Sequence, residues 1–440
     1  MDKRFPILLR QILYNLRGGF LVRPMAIALA LGVAGLAGPW LEAAFPDIAS
    51  WAPAGLFPSH ADPVVAQAIL AGIAASIMTV VSIVFAILLM TLTLASMQFS
   101  PRIIVSFSKD RVTQWTLGIF LGTFCYCIAA LPGARSRPAP FEPDVTVLGA
   151  MMLALACVGW LLFFIHHISY AISVNQIVDR IAAETEAIVD EMMPSPRRSF
   201  RTFHPPGEAL EWQPAVPSEV SGYIRVVDSA LLVAAAKTHR VKIRVARRVG
   251  QFVPAGIPLV DVSKADRLTP DAADDIRGAF DLGAFRTLQQ DVEFGVLQIV
   301  DIALKAISPA VNDPTTAITC VDQLSRILIR FAAREPCDER LYDPPGVLRV
   351  SLQWIDFDRL LESAFEQIRM YSKSDVAVSL RLLRALRDIA IATPVDEFRP
   401  SLIAAGKRVM AGCGERLGKD EMRHLHARLA ALETAAGPRA

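Results

Sequence analysis

The stretch that decides the fold runs from residue 63 to residue 101, PVVAQAILAGIAASIMTVVSIVFAILLMTLTLASMQFSP. It lies between Asp62 and Arg102, and none of its 39 residues carries a formal charge. About 20 apolar residues in a helix cross a bilayer core of about 30 Å. No strong turn signal divides the stretch before Ser100-Pro101, so it predicts a transmembrane helix that continues beyond the membrane.

Three other apolar stretches surround it within the first 167 residues. Together the four predict a transmembrane domain over 25–167, with helices near 25–44, 67–98, 114–132 and 146–166. Lys and Arg are frequent in the N-terminal segment 1–24 and after the fourth stretch, whereas the loop 42–62 has neither. Because short loops rich in Lys and Arg remain in the cytoplasm, both termini are expected there.

The composition excludes several classes of protein. Among 440 residues, 45 Lys and Arg balance 43 Asp and Glu, which argues against a nucleic-acid binder and against an acidic disordered chain. The sequence has no P-loop, dinucleotide fingerprint, HExxH motif, nucleophile elbow or paired-cysteine motif. We therefore expect no catalytic residue, cofactor or metal, and the chain is not predicted to be an enzyme.

Polar residues of the second stretch share one side of its predicted helix. At about 100° per residue they fall within an arc of about 120°, and they are Gln67, Thr79, Ser82, Thr93 and Ser96. Such an arc indicates either hydrogen bonds between helices in lipid or the lining of a pore or cavity. Four helices enclose little space, so a pore would need several copies of the chain.

Small residues recur in two of the stretches. Gly32, Gly35 and Gly38 are spaced by three in the first, and Gly118 and Gly122 are spaced by four in the third. Glycine lets helix backbones approach closely, so these positions predict tight packing within or between subunits.

The second half of the chain predicts a cytoplasmic α+β region. Residues 168–217 contain an amphipathic helix and a Pro-rich linker, and a small β module is predicted over 218–264. Its phrase GQFVPAGIPLV, residues 250–260, resembles the second half of the barrel-sandwich hybrid of biotinyl, lipoyl and membrane-fusion adaptor domains. That resemblance implies a β-barrel-like fold, although the lysine motif for cofactor attachment is absent.

Three basic residues of this module alternate along a predicted strand. Arg240, Lys242 and Arg244 therefore share one face of it. In an oligomer such faces would attract anions or lipid headgroups, whereas in a single chain they are a solvated strand face. Both interpretations remain open.

Residues 265–440 predict a helical domain. An apolar stripe from Val292 to Ile307 ends at Ser308-Pro309, after which Asp313 suits an N-cap and Pro314 the first residue of a new helix. The carboxylates near this turn, Asp291 among them, suit helix capping, a hard cation or contact with a partner. Further helices are predicted near 356–372, 374–393, 398–412 and 418–436.

Several phrases, in this order, resemble the bacterial membrane-protein family of domain of unknown function 2254. They are QFSPR at 98–102, DR at 110–111 with LGIFLGTF at 117–124, FIHH at 164–167, SGY at 221–223 and AISPAVNDPTTA at 306–317. The residues of this pattern that we single out are Pro101, Arg102, Ser308, Pro309, Asn312, Asp313 and Pro314. The resemblance covers roughly 15–400 and implies a multi-pass protein of the bacterial inner membrane with a cytosolic C-terminal region. It implies no established activity.

Two functions are compatible with these features. The first is a homo-oligomeric ion channel, or channel-like protein, with a cytoplasmic regulatory domain. The second is a membrane-anchored scaffold or signalling protein whose cytoplasmic domain binds a protein partner or a ligand. In both cases the lipid bilayer is the partner of the first part of the chain.

Overall fold

The computed structural model describes residues 22–45, 63–98, 110–134, 144–171, 173–193, 211–344, 346–373, 375–393, 396–413 and 417–437. The chain divides into two compact units, Met1–Ser173 and Val174–Ala440. Pro101 and Arg102 of the family pattern, and most of the Pro-rich linker, lie outside the described residues.

The N-terminal unit consists of long apolar helices. They are α1 (Val22–Ala44), α2 (Pro63–Gln98), α3 (Arg111–Ala130) and α4 (Asp144–Ala171). Each contains a segment long and apolar enough to cross a membrane, which confirms the four helices predicted from the sequence. With 36 residues at about 1.5 Å each, α2 is about 54 Å long and exceeds the thickness of a bilayer core.

Close packing of α1 explains the glycine spacing. A Cβ at Gly35 would collide with the backbone carbonyl of Tyr126 in α3, and one at Gly118 would lie 2.6 Å from Ile27 Cδ1. A Cβ at Gly38 would lie 2.6 Å from Thr146 Oγ1 in α4. The predicted close approach of helices is therefore confirmed within one chain.

Polar contacts join the same helices. The carboxylate of Glu42 in α1 accepts hydrogen bonds from the backbone N–H groups of Val145 (3.1 Å) and Thr146 (2.6 Å) at the start of α4. Amides in the first turn of a helix have no partner within that helix, so α1 supplies the cap of α4. Trp160 in α4 donates from Nε1 to Thr116 Oγ1 in α3 at 2.9 Å.

The C-terminal unit contains two open sheets. Their strands are β1 (Gln213–Pro217), β2 (Gly222–Val227), β3 (Lys242–Val245), β4 (Phe252–Val253), β5 (Pro258–Ser263), β6 (Phe280–Gly283), β7 (Arg340–Asp343) and β8 (Val347–Ser351). One sheet has the order β1-β5-β3-β8-β7 and the other the order β4-β2-β6. Only β3 and β8 are parallel, and both sheets bury their inner residues in one apolar core.

The barrel-like fold expected for 218–264 is wrong. The phrase at 250–260 forms β4 and β5, which enter different sheets, so the strands do not close on one another. Strand β3 pairs with β8 from about a hundred residues later in the chain. Only the turns follow the expectation, because Gly250 and Gly256 have φ angles of 86° and 83°, where other residues are strained.

Helices form the rest of the C-terminal unit. They are α5 (Val174–Met192), α6 (Ser229–Thr238), α7 (Pro270–Arg277), α8 (Val292–Ala306), α9 (Pro314–Ala332), α10 (Phe357–Tyr371), α11 (Val376–Ala392), α12 (Arg399–Cys413) and α13 (Lys419–Ala435). A side-chain N-cap starts six of them: Asp228, Thr269, Asp291, Asp313, Asp356 and Asp375. Each of these caps accepts a backbone N–H, which stabilises a helix by about 1 kcal/mol.

Candidate functional site

Helix α5 follows α4 directly along the chain and packs on the core of the C-terminal unit. It contributes an apolar stripe to α8 and α9: Ile177, Val178, Ile181, Ile188 and Val189 are all buried. Thr185 sits against Gly295 of α8, where a Cβ would lie 2.9 Å from Thr185 Cγ2. The absence of that Cβ allows the two helices to approach closely.

Ion pairs flank this stripe, and we call them the arginine ladder: Arg326, Arg330 and Arg334 of α9 with Asp179, Glu186 and Asp190 of α5. Arg326 reaches both Asp179 (2.8 Å) and Glu186 (2.6 Å). Asp190 accepts from Arg330 Nε at 2.8 Å and from Arg334 at 2.6 Å. The hydrogen bond from Arg330 is the main reason that the pKa of Asp190 is lowered.

The arginine ladder fixes the position of α5 but contributes little to the stability of the fold. Its side chains are partly exposed, 41% for Arg326 and 45% for Arg330. Exposed pairs contribute about 0.2–1 kcal/mol each. Burial of the apolar stripe supplies most of the free energy, and the ladder fixes the rotation of α5 on α9.

A second set of charges is buried at the start of α8, and we call it the charge cluster: Arg248, Arg286, Asp291 and Glu293. Arg286 binds Asp291 through two hydrogen bonds of 2.7 and 2.8 Å. Glu293 accepts from Arg248 at 3.0 Å and from Arg286 at 3.2 Å. Asp291 and Glu293 are only 4% and 7% exposed.

Glu293 and Arg286 of the charge cluster have pKa values shifted towards their ionised forms. Burial alone would raise the pKa of Glu293, but Arg248, Ser363 and Arg286 together hold it below its usual value. Burial would likewise lower the pKa of Arg286, and its bonds to Asp291 raise it instead. Two guanidinium groups and two carboxylates thus form a neutral group in which every carboxylate oxygen has a partner.

Two of these carboxylates act as helix caps. Asp291 caps α8 by accepting the N–H of Phe294 at 3.0 Å, and Asp313 caps α9 by accepting the N–H of Thr316 at 3.1 Å. The predicted cap at Asp313, with Pro314 as the first helical residue, is therefore confirmed. In the part of the chain that the structure describes, no group of three or more His, Cys, Asp or Glu could hold a metal ion.

A cavity of about 790 Å³ opens beside the charge cluster, and we call it the junction cavity. It lies where the end of α5, the loop after β3, the start of α8 and the segments 335–340 and 353–356 meet. Met192 and Met193 line it from the end of α5, and Arg248 and Glu293 line it from the charge cluster. Its volume lies within the range of about 300–1,000 Å³ that is typical of small-molecule sites.

The polar arc predicted on α2 lies on the exposed side of the N-terminal unit. Thr79, Ser82 and Thr93 are exposed and donate hydrogen bonds of 3.1, 3.0 and 2.8 Å to carbonyls one turn earlier. Gln67 instead donates from Nε2 to the carbonyl of Ala134 at 2.7 Å, and the side chain of Ser96 lies outside the described residues. The arc is centred about 120° from the helix's buried stripe, which consists of Ala66, Leu70, Ala74, Ile77, Val81 and Val84.

The basic residues predicted to share a strand face have different surroundings. Arg244 binds Asp261 at 2.7 and 2.9 Å, and its guanidinium lies 4.9 Å from the centre of the Trp212 ring. Lys242 lies on the same face of β3. Arg240 precedes the strand, in a turn with φ of 54°. Contact with anions or lipid remains a prediction for these residues.

The family-like residues around Ser308 form the turn between α8 and α9. Ser308 accepts the backbone N–H of Asn312 at 2.9 Å, and Asn312 has a φ of 50°. Pro309 is exposed at the tip, and Pro314 starts α9. The structure therefore gives this phrase a role in shaping a helical hairpin.

Two other phrases meet in the N-terminal unit. Asp110 caps α3 by accepting the N–H of Thr113 at 3.0 Å, and its Oδ2 lies 3.2 Å from His167 Nε2 near the end of α4. Sequence reasoning treated them separately, because 57 residues separate them. Asp110 and His167 belong to two phrases of the same family-like pattern, and this was the signal in the sequence that they could be in contact.

Comparisons with known proteins identify the family of this chain. Uncharacterized proteins of Mycobacterium tuberculosis and Mycobacterium bovis are each 32% identical to this chain over 332 residues. The aligned region covers 74% of this chain and 64% of the length of each relative. No solved structure matches the chain significantly. The family model described as predicted membrane protein (DUF2254) matches residues 17–388, and the chain belongs to that family.

Proposed function

We propose that the protein is a multi-pass inner-membrane protein whose C-terminal unit is a ligand-binding regulatory domain. The observation that carries this proposal is the junction cavity, because helix α5 ends in its wall at Met192 and Met193. The same helix begins at Val174, three residues after the end of α4 at Ala171. Along the chain, α5 therefore lies between a ligand-sized cavity and the residues that follow the fourth apolar helix.

The way α5 is held supports transmission of a signal along it. Its 19 residues are about 28 Å long, and their apolar stripe and the arginine ladder keep them on α8 and α9. A ligand that shifts the last turn of α5 therefore displaces the helix as a body. The displacement reaches the residues that connect α5 to α4.

The orientation in the membrane follows from charge. Lys3, Arg4, Arg10, Arg17 and Arg23 precede the first apolar helix, and the loop 42–62 has neither Lys nor Arg. The rule that Lys- and Arg-rich loops stay inside favours cytoplasmic termini and a cytoplasmic C-terminal unit. A ligand of the junction cavity would then come from the cytoplasm.

A variant that fills the cavity tests the regulatory role without a known ligand. Hydrogen exchange would be measured on the full-length protein in lipid nanodiscs, with Gln353→Trp in the cavity wall and Arg423→Trp on exposed α13 as the control. Gln353→Trp should change exchange along α5 as far as residues 174–177, and Arg423→Trp should not. Changes confined to the residues that line the cavity would refute the proposal.

A second function is favoured by the polar arc of α2. Thr79, Ser82 and Thr93 face away from the other helices of their own chain, so another copy could cover them. A ring of such faces would make a homo-oligomeric channel whose conductance the C-terminal unit regulates. Electrical recording from liposomes, together with mass measurement of the detergent-solubilised protein, tests it. A monomer without conductance would exclude the channel and leave the regulatory domain in place.

A further inference from the structure

The charges around the junction cavity identify the class of ligand it would take. We propose that it binds a small organic cation with an apolar or aromatic part, an inference that rests on the proposed ligand-binding role of the C-terminal unit. The unpaired charges of the wall and the apolar side chains beside them both favour such a ligand.

Unpaired carboxylates dominate the wall. Glu335, which is half-buried, and Asp338 and Glu339, which are exposed, line the cavity and form no ion pair with any other residue that the structure describes. Asp356 also lines it, where it caps α10 by accepting the N–H of Arg359 at 2.7 Å. Against these four carboxylates stands, among the described residues of the wall, the guanidinium of Arg340 without an ion pair, so these five side chains carry a net charge of −3.

The four residues of the charge cluster carry no net charge, and the exposed guanidinium of Arg359 lies 3.8 Å from Glu293 Oε1 beside them. Arg248 is the other basic residue of the wall, and both its bonds of 3.0 and 3.1 Å go to Glu293. Asp291 is likewise neutralised by Arg286. A cleft lined by one sign of charge concentrates ligands of the opposite sign, so the cavity favours cations and disfavours anions.

Apolar side chains distinguish an organic cation from a metal ion. The wall includes Trp354, whose Nε1 donates to the carbonyl of Asp338 at 3.2 Å and thereby orients the indole. Phe331, Met192 and Met193 add apolar surface. An indole face attracts organic ammonium groups, and methionine adapts to irregular apolar ligands. A volume of about 790 Å³ also far exceeds that of a bare metal ion.

Equilibrium dialysis of the full-length protein in nanodiscs tests the proposal. The probe is benzyltrimethylammonium, with benzenesulfonate as an anion of similar size and Mg²⁺ as a simple cation. Saturable binding of benzyltrimethylammonium is expected, with an affinity at least about tenfold above that for benzenesulfonate. Equal binding of the two organic ions, or no saturable binding of the cation, would overturn it.

Variants locate the binding. Glu335→Gln with Glu339→Gln should weaken cation binding at least about fivefold, and Trp354→Leu should weaken it about threefold or more. The matched control is Asp271→Asn with Asp420→Asn, two exposed carboxylates away from the cavity, and it should bind as the wild type does. Unchanged affinity in the Glu335/Glu339 variant would place the cation elsewhere and refute the proposal.

The test of cation binding and the test of the regulatory role can fail independently of each other. If benzyltrimethylammonium does not bind but Gln353→Trp still alters exchange along α5, the cation chemistry is wrong and the regulatory role stands. If the cation binds in the cavity but neither it nor Gln353→Trp affects α5, the binding site is real and the regulatory role is wrong.

Discussion

Removing the carboxylate of Glu293 should destabilise the C-terminal unit strongly. This side chain is 10% exposed and holds Arg248 (3.0 Å), Arg286 (3.2 Å) and the hydroxyl of Ser363 (3.0 Å). In Glu293→Ala, Arg248 would lose its carboxylate partner while only 14% exposed, whereas Arg286 would keep Asp291. Breaking a buried ion pair costs about 3–5 kcal/mol, and because one guanidinium stays paired we expect about 3 kcal/mol.

The assay is thermal unfolding of the full-length protein in detergent. For a unit of this size about 1 kcal/mol lowers the Tm by about 2–4 °C, so the loss should be about 6–12 °C. Glu293→Gln keeps the shape and should lose less. The control is Glu362→Ala, whose side chain is 59% exposed and whose partner Arg359 is 3.9 Å away. A Tm for Glu293→Ala within about 1 °C of the control would refute the assignment of a stabilising buried cluster.

The pH dependence of the same group has a definite sign. The pKa of Glu293 is lowered from 4.5 in the folded protein. Its contribution to stability is therefore fully present above about pH 4.5 and is lost as the pH falls through the lower folded value. The difference in Tm between wild type and Glu293→Gln should be constant from neutral pH to about pH 5 and shrink below it.

Three further predictions concern other parts of the molecule. Arg330→Ala should lower the free energy of unfolding by about 0.5–1 kcal/mol and speed hydrogen exchange in the last turn of α5. Asp190→Asn should have the same effect. Unchanged exchange in both variants would show that the ladder does not hold α5. Gly35→Leu should destabilise the folded N-terminal unit by about 1–3 kcal/mol or more. Gly72→Leu should not, because a Cβ there would meet nothing within 4 Å. Equal yields of folded protein from the two variants would contradict the close packing at Gly35. Burial raises the pKa of the Cys337 thiol to about 11. At pH 8 this thiol should therefore react with iodoacetamide about two orders of magnitude more slowly than a free thiol. Fast labelling would show that the chain around Cys337 opens.

The elements with a strong local pattern were predictable from sequence. The four apolar helices follow from uncharged stretches, and α9 from the cap and proline at Asp313-Pro314. Helix α6 was missed although Asp228 precedes an alanine-rich stretch, because the neighbouring strands suggested a continuous β module. A local pattern identifies a helix when no competing pattern surrounds it.

Features that depend on distant residues were not predictable. The sheet that replaced the expected barrel pairs Ile243 with Val350, and no local pattern indicates that partner. The charge cluster joins Arg248 to Glu293 and Ser363 across 45 and 70 residues. Spacing therefore indicates the acidic residues near α8 but not the arginines that neutralise them, so the sequence favours a cap without excluding a cation site.

The bond from Glu42 to the start of α4 has a consequence for biogenesis. During synthesis α1 emerges first and α4 last, and the carboxylate that receives the amides of Val145 and Thr146 lies about a hundred residues upstream. The final helix therefore completes its own terminus only by docking on the earliest one. If α1 were misplaced when α4 inserts, those amides would stay unsatisfied beside lipid, so the same contact depends on both the order of insertion and the correct packing of the helices.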